Sequence, residues 1–151
     1  MKDALVKDLE NVLREEAKVY KELYTLAQQE ARLLVKNDLS SVKQIVQKQE
    51  KLILEIQTMD RVGQKILESL AVELSVAPEK INLSVLLGHL EDQGQQVFKE
   101  LCEVINRQMV ELNEVNQSNG VLISNALKYL KLFSVSTERD NSKTFSTDKR
   151  V

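Results

Sequence analysis

Apolar residues recur at helical spacing along most of this chain. Leu5, Val12, Val19, Leu26 and Leu33 make one heptad phase; Val6, Leu13, Tyr20, Ala27 and Leu34 make the adjacent one, and Leu9 and Leu23 join them. Two neighbouring apolar phases form a stripe wide enough to face a core, so the pattern predicts a first helix over residues 2–36. Asn37-Asp38-Leu39-Ser40-Ser41 interrupts it, with Asp38 or Ser40 placed to cap a second helix. So short a connection makes the two helices antiparallel neighbours. The second, expected over residues 40–75, carries Val42, Ile45, Leu52, Ile56, Met59, Ile66, Leu70 and Leu74 on its stripe, with Gly63 in line where helices approach closely.

Pro78 ends that run, because its ring removes a donor and disfavours helical geometry before it. Asn82 or Ser84 can then cap a short helix over 84–89 holding Val85, Leu86 and Leu87. A third long helix is expected over 91–135, through Val97, Phe98, Leu101, Val104, Ile105 and Leu112 towards Phe133. Residues 137–151 contain no Leu or Ile and are expected to form a flexible polar tail, dispensable for folding. The expected fold is all-α: an elongated antiparallel bundle of three long helices, one domain over 1–136, with the short helix in the second connection.

Composition agrees with that architecture and removes several functions. One proline and four glycines in 151 residues leave little punctuation for a many-stranded fold. No apolar run approaches the ~18 residues of a spanning helix, and Met1-Lys2-Asp3 leads into the amphipathic pattern without a signal-peptide core. Cys102 has no second cysteine to pair with, which suits a reducing compartment, so a cytoplasmic location is expected. The net charge is −2, and residues 1–36 carry seven basic and seven acidic side chains. Without a basic stripe, neither nucleic acid nor a membrane surface is an expected partner. The charges lie interspersed on solvated faces, as at Lys18/Glu22 and Glu10/Arg14.

Candidate chemistry is sparse. His89 is the only histidine, which excludes a site built from several imidazoles. Gly63, Gly88, Gly94 and Gly120 make neither a phosphate cradle nor a dinucleotide fingerprint. Glu15-Glu16 and Glu91-Asp92 are adjacent carboxylates, but neighbours on a helix diverge, so solvated charge is the expectation for both pairs. Cys102 shares an apolar phase with Met109, Ile123 and Leu130 and is expected in the core. No enzyme activity, metal or cofactor is expected.

The stretch from Leu112 to Ile123 is the most informative. Leu112, Val115, Asn119, Leu122, Ala126, Tyr129 and Phe133 fall on one stripe, widened by Asn116, Ile123 and Leu130. Two amides thus lie within or beside an apolar face, where an unpaired buried amide costs about 1–3 kcal/mol. One reading has them set register inside the bundle. The other has the face stay open until another chain covers it. Asn119-Gly120 also admits a helix stop.

The run Leu112-Asn113-x-x-Asn116-Gln117-x-Asn119-Gly120-x-Leu122-Ile123 resembles the C-terminal signature of FlgN-type flagellar export chaperones, in which Asn-Gln-x-Asn precedes an apolar pair. The Leu-rich first helix, the turn with Lys36, Asp38 and Leu39, the Gln/Glu/Lys-rich second helix, the short Leu-rich helix after Pro78 and the polar tail are similar to that family too. The tail departs from it: Thr144-Phe145-Ser146 stands where the family often has Thr-Tyr-Gly, and no glycine follows Gly120.

The resemblance implies a cytoplasmic chaperone that binds C-terminal helical segments of flagellar hook-associated proteins, prevents their premature assembly and delivers them to the type III export apparatus. It implies client binding through Leu112, Val115, Asn116, Asn119, Leu122, Ile123, Ala126, Tyr129, Leu130 and Phe133, with Phe145 as the aromatic of gate delivery. Self-association of the unloaded protein through the same face is a further expectation. The rivals are a structural helical-bundle or coiled-coil scaffold and a chaperone or adaptor for another secretion client.

Overall fold

A computed structural model describes the backbone of residues 1–134 and the side chains of residues 1–123. The elements are helix α1 (Lys2–Val35), helix α2 (Leu39–Glu73), a 3-10 turn (Pro78–Lys80), the short helix α3 (Leu83–Leu87) and helix α4 (Asp92–Ser134), with no strand among the described residues. The all-α expectation holds: three long helices, and one short helix in the second connection. Helix α4 runs unbroken through Asn119-Gly120, so that dipeptide is not a stop. The polar tail expected over 137–151 lies outside the described residues.

Both of the first two long helices end on a residue other than glycine in left-handed geometry. Asn37 has φ 58° and Ser75 has φ 56°. At the first end, Asn37 N donates to Leu34 O and Asp38 N to Leu33 O; at the second, Ser75 N donates to Val72 O and Val76 N to Ala71 O. These paired bonds are the Schellman arrangement, which satisfies the last carbonyls of a helix and turns the chain sharply. Asp38 then caps α2, accepting from Ser41 N at 3.2 Å and Ser41 Oγ at 2.8 Å. Asn82 caps α3, its side chain accepting from Val85 N at 2.8 Å. The Gln95 amide donates to the carbonyls of Leu87 and Leu90, tying the α3–α4 connection to the first turn of α4.

The chain packs as two compact units, one of Met1–Glu22 with Glu50–Met109 and one of Leu23–Gln49 with the chain from Val110 onward. The core of the first unit is Leu9, Leu13, Leu70, Leu86, Phe98, Leu101 and Ile105, with Ile66, Leu74, Leu83 and Val97 among the residues packed on it. There the start of α1 lies beside the end of α2 and the start of α4, and Lys2 Nζ donates to His89 O at 3.1 Å. Gly63 is buried in this unit, but a methyl added there would sit 3.8 Å from Leu9 Cδ1 and Val12 Cγ1, an ordinary contact. The packing at this position would therefore accept a methyl group. In the second unit the end of α1 and the start of α2 meet across the Asn37 turn, with Ala27, Leu34, Val42 and Ile45 buried.

Burial along α1 corrects the stripe read from sequence. The deepest positions are Leu9, Leu13, Glu16, Val19, Leu23, Ala27, Glu30 and Leu34. The phase of Leu9 and Leu23 thus lines the seam, and at two of its heptad positions the residue is glutamate. Of the other expected phase, Leu5, Val12, Leu26 and Leu33 are only half-buried. Glu16 is 8% exposed, so the solvated reading of Glu15-Glu16 holds for Glu15 alone. Lys18 pairs with Glu15 at 3.0 Å and not with Glu22, whereas the Glu10–Arg14 pair forms at 3.2 Å. Lys7 also bonds Glu10, and it and Arg14 hold the Glu10 carboxyl below its ordinary range despite some desolvation.

Candidate functional site

The second unit contains a buried polar layer to which each long helix contributes one side chain. Glu30 of α1 is fully buried, Gln49 of α2 is 6% exposed and Asn119 of α4 is 1% exposed. The Gln49 amide donates to Glu30 Oε1 at 3.1 Å. Asn119 Nδ2 donates to the Ala27 carbonyl at 3.0 Å and approaches Glu30 Oε1 at 3.4 Å. Asn119 Oδ1 is buried without a hydrogen-bond partner. Side chains from three helices meeting at one buried level bias the helices toward one relative register.

Around this layer, α4 presents residues that are neither buried nor free. Leu112, Val115, Asn116, Leu122 and Ile123 are all half-buried, while Val110 and Val121 stand well exposed beside them. Of the ten residues of the expected client-binding face, Asn119 is thus the one whose described side chain turns wholly inward. Ala126, Tyr129, Leu130 and Phe133 continue the same helix, with side chains outside the described set, and Phe145 lies outside the described residues altogether.

A second polar cluster sits in the first unit. Glu16 of α1 is buried near Asp60 of α2, and burial first, then that neighbouring carboxyl, raises its pKa to about 7. Burial, then the charges of Glu16 and Asp60, also raise the Tyr20 hydroxyl. Sequence reading placed Asn119 on the stripe but missed its partners Glu30 and Gln49 and the burial of Glu16, although Leu9, Glu16, Leu23 and Glu30 stand at strict seven-residue intervals. The signal was a charged residue recurring in a core phase.

No group of acidic, histidine or cysteine residues able to hold a metal occurs among the described residues. Cys102 is half-buried, and burial pushes its thiol pKa up, which disfavours the reactive thiolate. His89 is exposed at the end of the α3 segment, engaged through its backbone carbonyl. No helix of the described residues is long and apolar enough to cross a membrane.

The family model described as FlgN protein matches residues 1–147. This chain belongs to the FlgN family. That match spans all four helices, the Asn116–Asn119 run and most of the tail, and FlgN proteins are chaperones of flagellum biogenesis rather than enzymes. Comparison with curated proteins and with solved structures returned no match.

Proposed function

We propose that this FlgN protein is a cytoplasmic export chaperone that holds the C-terminal helical segments of flagellar hook-associated proteins and delivers them to the type III export gate. The match to the FlgN family over residues 1–147 carries the reading. Segments that assemble into a filament bury apolar stripes against copies of themselves. A chaperone helix with a stripe of its own can cover such a segment temporarily, with no need for ATP or metal. The client face is the α4 stripe of Leu112, Val115, Asn116, Leu122, Ile123, Ala126, Tyr129, Leu130 and Phe133. Asn119, turned into the polar layer, holds that stripe in register.

Leu122→Asp and Ile123→Asp test the face, because each places a carboxylate where the client's apolar surface would sit, and burying it unpaired is prohibitive. Calorimetric titration with a C-terminal peptide of a hook-associated protein should show binding lost, while the thermal melt moves little because both positions reach solvent. A collapsed melt would assign these residues to the core of a structural bundle. Retained binding with a retained melt would put the client elsewhere. Gate delivery falls to the tail, with Phe145 as its aromatic contact: Phe145→Ala should keep peptide binding and reduce client secretion, and unchanged secretion would remove Phe145 from the mechanism.

A further inference from the structure

Two turns of the chain share one backbone geometry and differ in charge. The Asn37 and Ser75 turns both close a long helix in Schellman fashion, and each follows a valine that is 74% exposed: Val35 at the first, Val72 at the second. Beside the second stand Glu73 and Glu79 against Lys80. At the first the sign reverses. Between the buried Glu30 and Gln49, the cations Arg32, Lys36, Lys43 and Lys48 stand against one carboxylate, Asp38, a local net of +3 in a chain of net −2. Both Asp38 oxygens are engaged by Ser41 in capping α2. All four cations are exposed, and none forms an ion pair with a described residue, whereas Lys7, Arg14 and Lys18 each do. The basic groups gather at a turn and not along a helical face, so heptad periodicity does not display them.

The shape of this turn decides what it fits. Residues 35–40 are exposed without interruption, and only three residues join α1 to α2, so the turn projects as a convex tip. A convex tip offers no groove or sheet edge of the kind that captures a peptide segment. It does fit a flat surface that yields around it. Val35 and Leu39, 74% and 44% exposed, stand on either side of the reversal. Each has cations as helical neighbours: Arg32 precedes Val35 by three residues, and Lys43 follows Leu39 by four. At 1.5 Å per residue, Arg32, Lys36 and Lys43 lie within about 8 Å of the reversal, one Debye length at physiological salt. We propose that the α1–α2 tip docks reversibly on an anionic lipid surface, with Val35 and Leu39 entering the headgroup boundary and Arg32, Lys36 and Lys43 pairing with lipid phosphates. Each cation near such a surface raises the partition roughly fivefold, so three give about a hundredfold, which is a reversible association and not an anchor. The Schellman bonds and the Asp38 cap fix the turn beforehand, so docking loses little ordering entropy. The Ser75 turn, with the same backbone and the same exposed valine, lacks that ring of cations.

Sedimentation of the full-length protein with lipid vesicles reads the association directly. Vesicles of phosphatidylglycerol mixed with phosphatidylcholine should carry the protein down at low salt and release it as salt is raised. Vesicles of phosphatidylcholine alone should leave it in solution. Lys36→Glu with Lys43→Glu should lower the partition by about tenfold or more, since each change removes a cation and adds an anion. Val35→Ser with Leu39→Ser, which leaves the charge unchanged, should weaken it several-fold. Lys65→Glu with Lys80→Glu makes the same change of charge at exposed positions of the first unit and should bind within about threefold of the wild type. All three double variants should melt with the wild type, because every altered side chain is exposed. A wild-type protein that stays in solution beside the anionic vesicles at low salt would overturn the proposal. So would equal partition of the two charge-reversed proteins, since the tip would then have no special part. Soluble polyglutamate bound as tightly as the anionic vesicles would overturn it too, and would make the tip a site for an acidic protein.

Discussion

Phe98→Ala should destabilise the protein by about 3–5 kcal/mol, the range for truncating a large aromatic side chain in a closed core. Phe98 is 1% exposed and belongs to the cluster of Leu9, Leu13, Leu70, Leu86, Leu101 and Ile105. Its partners come from all three long helices and from α3, so no single one of them can relax into the cavity without disturbing the others. For a chain of this size that loss corresponds to a melting point lower by roughly 10 °C. Phe98→Leu, which keeps most of the volume, should cost less than half as much. The check is a pair of thermal melts followed by circular dichroism at the helical band. Equal small shifts for both variants would mean that the ring is not closed in by its neighbours. A client peptide should still bind the Phe98→Ala protein below its melt, since the proposed binding stripe lies in the part of α4 after Val110.

The fold was legible because its two governing signals are local. Apolar residues at three- and four-residue spacing set the helices, and the Asn37–Asp38, Pro78 and Asn82 positions set their ends. What the pattern could not settle was the rotation of each helix about its axis. On α1 the phases of Leu5, Leu9 and Val6 are adjacent; those of Leu5 and Val6 are apolar throughout, and that of Leu9 alternates leucine with glutamate. Counting hydrophobic residues favours the phase of Leu5 over that of Leu9, because the latter contains Glu16 and Glu30. Burial runs the other way, and each glutamate has polar neighbours on other helices: Asp60 near Glu16, Gln49 and Asn119 bonded to Glu30. Those partners are 44, 19 and 89 residues away in sequence, separations at which no helical periodicity operates. A core glutamate is therefore visible in one sequence only as an interruption, and its meaning emerges when the other helices are brought beside it. The same holds for Asn119, whose place on the α4 stripe is plain from spacing but whose inward direction depends on Ala27 and Glu30.

Replacing Asn119 separates holding the stripe from forming it. Asn119→Asp removes the amide that donates to the Ala27 carbonyl and sets a carboxylate within about the 3.4 Å that now separates Asn119 Nδ2 from Glu30 Oε1. At 1% exposure the new charge has little water to screen it. A lone buried charge facing another of its own sign should cost about 3–5 kcal/mol at neutral pH. Asn119→Leu creates no charge. It leaves the Ala27 carbonyl without its side-chain donor and Glu30 with one donor fewer, for a loss of about 1–3 kcal/mol. The order wild type, Leu, Asp in melting temperature is therefore the expected result. Acidification should narrow the gap between the Asp and Leu variants, because a protonated aspartic acid can again donate to the layer. If Asn119 faced outward in solution, both variants would melt close to the wild type, and the Asp variant would be the better tolerated. Client binding adds a second readout, taken below the melt of each variant. A residue that only holds α4 in register should let the Leu variant bind the client peptide with affinity reduced in proportion to the stability of the second unit. A residue that contacts the client should lose binding without that proportion.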